Sequence, residues 1–407
     1  MKKENQIAVV KNTLAIRKVE NLLSITEKLL KKEFSHCIYI SYERVQIARL
    51  DNNNVYILSS DTLREYVPTA VSFNKKGVCL VGDSALNRWK IDEFKYTNTK
   101  SNSCIDFIRN LGTEQIYRFE NTDKEYTSTA LLVEFLKFIC SLDGLFDSIT
   151  NSIIVIPNDF NSNQISDLRK ASNLIGLSNI TLIREAIATK RFYIDNISAK
   201  IDFSVVLSIY KTSSNITLTK NNKIVDTETN NFWGGNDIDY LIVDKMFIPY
   251  LKNNFTIDSL VNNKRSLNRL RSTLQWHAYD TKIRLSYGDE KTEVLTALGD
   301  LGNDDNNEDM EIDLVITVND LSAVLINDFQ NLILRVKEVI NRNNLSIDNL
   351  SEIYLNDINT RLPILGKLLS DNLVEPKISE ENRNAAIIGG TLLLNEINTA
   401  GNNVYSA

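Results

Sequence analysis

Glycine, proline and histidine are all scarce: the 407 residues include 14 Gly, 5 Pro and 2 His. Loops that wrap phosphate in backbone N–H groups lean on glycine, so a chain this poor in it argues against a phosphate-handling enzyme. His36 and His277 lie far apart and neither has a companion motif. That excludes a zinc-ligand set and histidine-based acyl transfer, and leaves each an exposed or hydrogen-bonded structural role. The four cysteines, Cys37, Cys79, Cys104 and Cys140, have neither metal-ligand nor redox spacing. Few cysteines and no secretory signal fit a reducing, cytoplasmic setting, with Cys37 a small buried hydrophobe in an apolar run. No apolar run approaches the ~18–20 residues of a membrane span. Basic excess is also missing: the net charge is −6, against a nucleic-acid binder working through a basic face.

What is present is an ordinary globular balance, 43% hydrophobic and 24% charged, enough for a sizeable core and two or three domains. Residues 1–34 stand apart. Ile16, Val19, Leu23 and Leu30 recur at helical spacing among lysines, and the segment carries +4 while the remainder carries −10. Three readings stay open for this basic amphipathic helix: packing on its own domain, docking a partner, or touching a membrane surface.

Two similar passages follow. Cys37–Ile40, Val45–Leu50 and Val55–Leu58 form a three-strand meander with an Asn-rich turn; Val205–Ile209, Ile216–Leu218 and Ile224–Val225 form another. Each is followed by a helix, a strand, a proline and a helix: Thr129–Leu142, Ile153–Ile156, Pro157 and Asn163–Ile175, then Asn319–Ile340, Ile353–Leu355, Pro363 and on to Leu369. A repeated unit of this kind predicts a duplicated α/β core, two lobes facing each other across a cleft. Residues 35–200 make lobe I, with an insert of mixed strand and loop signals at about 60–125. Residues 201–397 make lobe II, with an insert at about 237–313, and 398–407 a short tail. The second insert carries a helical pattern around Leu267–Ala278, then an acidic loop at Gly302–Asp309 that reads as a solvated, mobile connection. The ordered spacing of a calcium loop is missing there.

Specific words then become recognisable. Ile154–Gln164 (IVIPNDFNSNQ) resembles the "VTVPAYFNDSQ" segment of the DnaK-type (heat-shock seventy) chaperones, and Lys170-Ala171, Ile175–Leu177 and Arg184–Ala186 continue the match. Val67–Phe73 and Leu80–Ala85 are similar to "TPSVVAF…LVGDAA", Trp233–Asp239 to "LGGEDFD", Asn263–Arg271 to "NKRALRRLR", and Thr360–Pro363 to the end of "GGSTRIP". The matches keep the family's order from about residue 36 to 397. The resemblance implies the two-lobed actin-like ATPase fold of that family's nucleotide-binding domain, four subdomains around a cleft, with an added N-terminal helix and no substrate-binding domain following.

The same resemblance locates a degraded site. The family's first phosphate hairpin, "DLGTT", is Ser41-Tyr42-Glu43-Arg44-Val45 here, without its aspartate, glycine or threonines. Its bulky side chains are expected to fill the phosphate space, and Glu43 to repel phosphate. The second, "DLGGGTFD", runs from Ser208 to Asn215 and has lost three glycines and both aspartates; Tyr210, Lys211 and Thr212 replace the turn and Ser213 keeps a hydroxyl. Lys211 has two readings, a point charge that meets a phosphate and, favoured over it, a solvated turn lysine. Leu86 stands where the family's catalytic lysine falls, and Asp357-Ile358-Asn359 where "GGS" falls. Glu185 matches the water-positioning glutamate, the one residual catalytic candidate; with its chemical partners gone it reads as a surface or interlobe ion pair. Arg361 matches the arginine that stacks on adenine, and a structural salt bridge explains it equally well. Lys282 and Ser286 match nucleotide-contacting positions if their helix is aligned from its C-terminal end, and Gly234 and Gly235 survive in the LGGEDFD-like segment. Arg383 replaces an aspartate.

Losing one catalytic group costs ~10²–10⁴ in rate; here phosphate turns, metal-orienting aspartates and lysine go together. The expectation is a pseudo-ATPase acting as a protein-binding or regulatory scaffold, with no metal and no cofactor. Its partner is then a protein, chaperone-related or operon-encoded, docked through Ile16, Val19, Leu23 and Leu30. The alternative is an atypical chaperone component that still binds ATP or ADP with Mg weakly between the lobes.

Overall fold

The computed structural model describes residues 35–94, 102–142, 151–194 and 203–400, apart from positions 52, 61, 106 and 290. The expected docking residues Ile16, Val19, Leu23 and Leu30 therefore lie outside the described residues.

The first meander is β1 (His36–Ile40), β2 (Arg44–Asp51) and β3 (Asn54–Ile57). The β2–β3 turn includes Asn53 at φ 66°, the left-handed conformation that asparagine tolerates better than most residues. Helices α1 (Asp83–Phe94) and α2 (Ser128–Ser141) follow, then β4 (Asn151–Ile156), α3 (Ser162–Leu174), β5 (Asn179–Arg184) and α4 (Glu185–Tyr193). The strands line up as β5-β4-β1-β2-β3, with β1 parallel to β4 and antiparallel to β2. Alternation explains the layering. Ile38, Ile40, Ile154 and Ile156 join one buried cluster with α2; Cys37, Tyr39, Ile153 and Val155 join another on the opposite face. Asn161 and Gln164 form a capping box that fixes the start of α3.

Lobe II repeats the plan. Its meander is β6 (Phe203–Ile209), β7 (Ser214–Lys220) and β8 (Lys223–Asn230), again turning on a left-handed asparagine, Asn221 at φ 53°. Helices α5 (Gly235–Ile242), α6 (Lys264–Ser286) and α7 (Val318–Arg342) precede β9 (Leu350–Asn356), α8 (Pro363–Asn372) and the short β10 (Pro376–Lys377). The order β8-β7-β6-β9-β10, with β9 parallel to β6, is the order of the first sheet. The final helix, α9 (Ala385–Ala400), crosses back to lobe I: Ala386, Ile387, Leu393 and Leu394 cover the second face of that sheet. Gly389 permits the crossing, since a Cβ there would lie 1.8 Å from the Ala188 carbonyl oxygen of α4.

Two local expectations need correction. The region 60–125 contains α1 as well as strands and loops. Its sequence interleaves polar and apolar residues without a clean stripe, so periodicity did not reveal it. The acidic loop is fastened rather than free. Asp304 is buried and accepts hydrogen bonds from the backbone N–H groups of Thr256 (3.0 Å), Asn306 (2.9 Å) and Glu308 (2.9 Å), while Asp305 accepts from the Ser259 N–H at 2.9 Å.

Candidate functional site between the lobes

The meander turns β1–β2 and β6–β7 meet at the cleft. Both are tight. In the first, the Ser41 N–H donates to the Arg44 carbonyl at 2.9 Å, and the Ser41 hydroxyl donates to the same carbonyl at 2.9 Å while accepting from the Arg44 N–H at 3.1 Å. In the second, the Tyr210 N–H donates to the Ser213 carbonyl at 2.8 Å. That closure leaves the N–H groups of Lys211 and Thr212 pointing out of the turn. They donate to the Glu43 carboxylate, Lys211 N–H to Oε2 at 2.8 Å and Thr212 N–H to Oε1 at 2.9 Å, and the Thr212 hydroxyl adds a contact at 3.3 Å. An anion therefore does lie in the second hairpin, and it belongs to the first. Withdrawal from water, then the nearby Asp357, raise the Glu43 carboxyl, against the pull of Lys211 and the two N–H groups.

The bulky residues do not fill the cleft as expected. Tyr42 is buried within lobe I, its ring 5.9 Å from that of Phe160 and its hydroxyl donating to Asp159 at 2.7 Å. Tyr210 turns into the interior toward Glu185. A cavity of about 400 Å³ remains beside the hairpins, lined by Glu43, Leu86, Lys211, Gly235, Lys282 and Asp357 among others.

Glu185 is not on the surface, and among the described residues it forms no ion pair. It is fully buried where α4 meets the second sheet, and it accepts from the Tyr210 hydroxyl at 2.6 Å and the Ser208 hydroxyl at 3.2 Å, with the Asn356 amide also donating to it. Burial is the main reason its carboxyl is pushed up to about 7; the hydrogen bonds from Tyr210, Ser208 and Tyr39 oppose the rise. Ser208, at a lost aspartate, and Tyr210, at a lost glycine, thus became its hydroxyl partners, a rearrangement that motif comparison position by position does not reveal.

Among the described residues Arg361 forms neither a salt bridge nor an open shelf. Its guanidinium donates to the Ser379 carbonyl at 2.5 Å and lies 4.3 Å from the centre of the Tyr287 ring. Lys282 is fully buried, 2.6 Å from Asp239 and 3.1 Å from the Gly235 carbonyl, and burial lowers its pKa against the pull of that carboxylate. The Ser286 hydroxyl donates to the Ile283 carbonyl of its own helix at 2.7 Å. Gly234 sits hard against the second hairpin, where a Cβ would come within 2.5 Å of the Ser213 nitrogen. Gly235 donates its N–H to Tyr210 at 2.7 Å. Both glycines brace the turn.

Arg109 escaped sequence reasoning, and Arg44 was placed in the first hairpin without its bridging role. Arg109 covers the Tyr42 ring at 4.2 Å and crosses to lobe II, donating to the Thr212 hydroxyl at 2.8 Å and the Ser213 hydroxyl at 3.3 Å. Arg44 is 3.0 Å from Asp357 and donates to the Arg383 carbonyl at 2.8 Å. Neither lies in a motif whose spacing signals a bridge. Among the described residues no group of His, Cys, Asp and Glu is arranged to hold a metal, and no helix is long and apolar enough to cross a membrane.

Two lobes with the same strand order, joined at their meander turns around a cleft, define the actin-like ATPase fold. Within that class the chain belongs to the Hsp70 protein family, matching it over residues 40–405. It is 24% identical over 371 residues to the Chaperone protein DnaK of Thermotoga petrophila, covering 89% of this chain and 59% of that protein. A second DnaK, from Endomicrobium trichonymphae, is 28% identical over 227 residues, 54% of this chain and 34% of that one. The chain thus spans about three-fifths of the length of the Thermotoga relative it matches.

Proposed function

We propose that this Hsp70-family chain has lost ATP hydrolysis and works as a protein-binding or regulatory scaffold. The observation that carries the reading is the Glu43 carboxylate seated on the N–H groups of Lys211 and Thr212. Phosphate needs such donors, and a tethered carboxylate competes for them at every moment. Ser41 and Ser208 offer no charge to orient a metal, and Leu86 offers none to a phosphate. The expected result is no turnover of Mg-ATP above buffer in a steady-state phosphate-release assay. Turnover that disappears in Glu185→Gln would overturn the reading.

One observation favours a second reading, weak ATP or ADP binding with Mg: the cavity of about 400 Å³ is lined by Gly235 and Lys282. Ligand binding raises melting temperature by mass action. If Glu43 competes with phosphate, millimolar Mg-ADP should raise the melting temperature of Glu43→Ala more than that of the native chain. Equal shifts would remove Glu43 as a competitor.

The basic segment 1–34 remains the proposed docking element for a protein partner, chaperone-related or operon-encoded. Deleting it should abolish partner capture in a pull-down; capture that survives the deletion would move the docking site elsewhere.

A further inference from the structure

The cavity beside the hairpins has more positive charge than its own carboxylates neutralise. Three of its carboxylates are taken by a cation each: Arg44 by Asp357 at 3.0 Å, Arg64 by Asp83 at 2.8 Å and Lys282 by Asp239 at 2.6 Å. The fourth, Glu43, is spent on backbone N–H groups. Lys90 and Lys211 also line the cavity, and among the described residues no carboxylate forms a salt bridge with either. Their ammonium groups approach one aromatic ring, Trp276, with Nζ at 3.7 Å and 5.9 Å from its centre. The two lysines come from different lobes, Lys90 from α1 and Lys211 from the second hairpin. Two like charges brought to one ring repel, and the pKa of Lys90 is lowered by burial first and by Lys211 and Arg64 after it, against the pull of Asp83. Arg383, a third cation on the lining, also meets only a ring, that of Tyr66 at 4.6 Å.

We propose that Lys90 and Lys211 form an anion site, and that its ligand is a phosphate monoester of about sugar size. Two observations select that class. The vacant charges nearest Trp276 are lysines, point charges that suit a tetrahedral dianion; of the fork-shaped arginines that suit planar carboxylates, Arg44 and Arg64 are engaged by Asp357 and Asp83, and Arg383 lies over the Tyr66 ring. A volume of about 400 Å³ takes a small organic phosphate comfortably. The site lies beside the hairpin donors held by Glu43 and uses neither of them, so it stands whether or not hydrolysis is lost.

The test is calorimetric titration of the full chain, without magnesium, using ribose 5-phosphate, AMP, inorganic phosphate and succinate as probes. Saturable binding of ribose 5-phosphate is expected, weakened roughly tenfold or more in Lys90→Gln and again in Lys211→Gln, each losing one charged hydrogen bond. Lys211→Gln keeps the backbone N–H that holds Glu43, so its fold is expected to stand; an unchanged melting temperature without ligand checks this. AMP binding more tightly than ribose 5-phosphate would show that the base is read as well, and inorganic phosphate binding equally well would show that only the phosphate is. Tighter succinate binding would overturn the assignment to a phosphate. Absence of saturable binding by any probe, or binding indifferent to both lysine variants, would overturn the site.

Discussion

Glu185 and His36 titrate in opposite senses, and their windows overlap. Glu185 is raised to about 7 by burial, from an ordinary value of 4.5, so between those values the native state keeps a proton that the unfolded chain has released. Stability therefore falls as pH rises through that window, by ~3 kcal/mol in all. His36 is lowered to about 4 by burial and by Arg49, so the unfolded chain holds the extra proton between 4 and 6.5 and stability rises with pH there. The two slopes largely cancel up to 6.5. Urea unfolding of Glu185→Gln should expose the His36 slope alone, a gain from pH 4 to 6.5 and no fall near 7. A fall that persists near 7 in this variant would assign it to another group. Asp357 is informative at the same scale. It stands where the family has glycine and keeps φ 75° with ψ 157°, a region that costs most side chains ~1–3 kcal/mol. The backbone shape survived the glycine, and the Arg44 ion pair offsets part of the strain.

The elements most legible in the sequence are those whose pattern is local. Both meanders were readable because β1 and β6 are continuous apolar-rich runs buried on both faces and because asparagine marks the turns. α3 was readable as a helix after Pro157, and the structure adds the Asn161 and Gln164 box that caps it. Asn161→Ala should cost about 1 kcal/mol of stability in denaturant unfolding with the slope unchanged; no cost would mean the box is redundant with the tertiary contacts of α3. What stayed hidden depends on partners distant in the chain. Glu43 was read as a repellent of phosphate because its donors, the N–H groups of Lys211 and Thr212, come 168 and 169 residues later. Arg109 lies in an irregular turn with no periodicity at all, and its role exists only because Tyr42, Thr212 and Asn231 surround it. Glu185 was correctly singled out but misplaced, since hydroxyls and an amide rather than a cation satisfy it.

At the scale of the molecule, the lobes are joined by Glu43, Arg109, Arg44 and Glu185 as well as by the return of α9 to the first sheet. Glu43→Ala combined with Arg109→Ala removes two of the bridges at the outer cleft without touching either lobe's core. The expected result is a larger radius of gyration by small-angle scattering with secondary structure unchanged; an unchanged radius would place closure in Glu185 and α9 alone. Glu43 also sets the terms on which the cleft answers its surroundings. A diffusible anion fills a cradle in proportion to its concentration, so a cleft closed by one reports on supply. A side chain arrives with every copy of the protein at a fixed effective concentration, independent of dilution or metabolism. The lobes of this chain are accordingly held by a contact that the chain itself supplies.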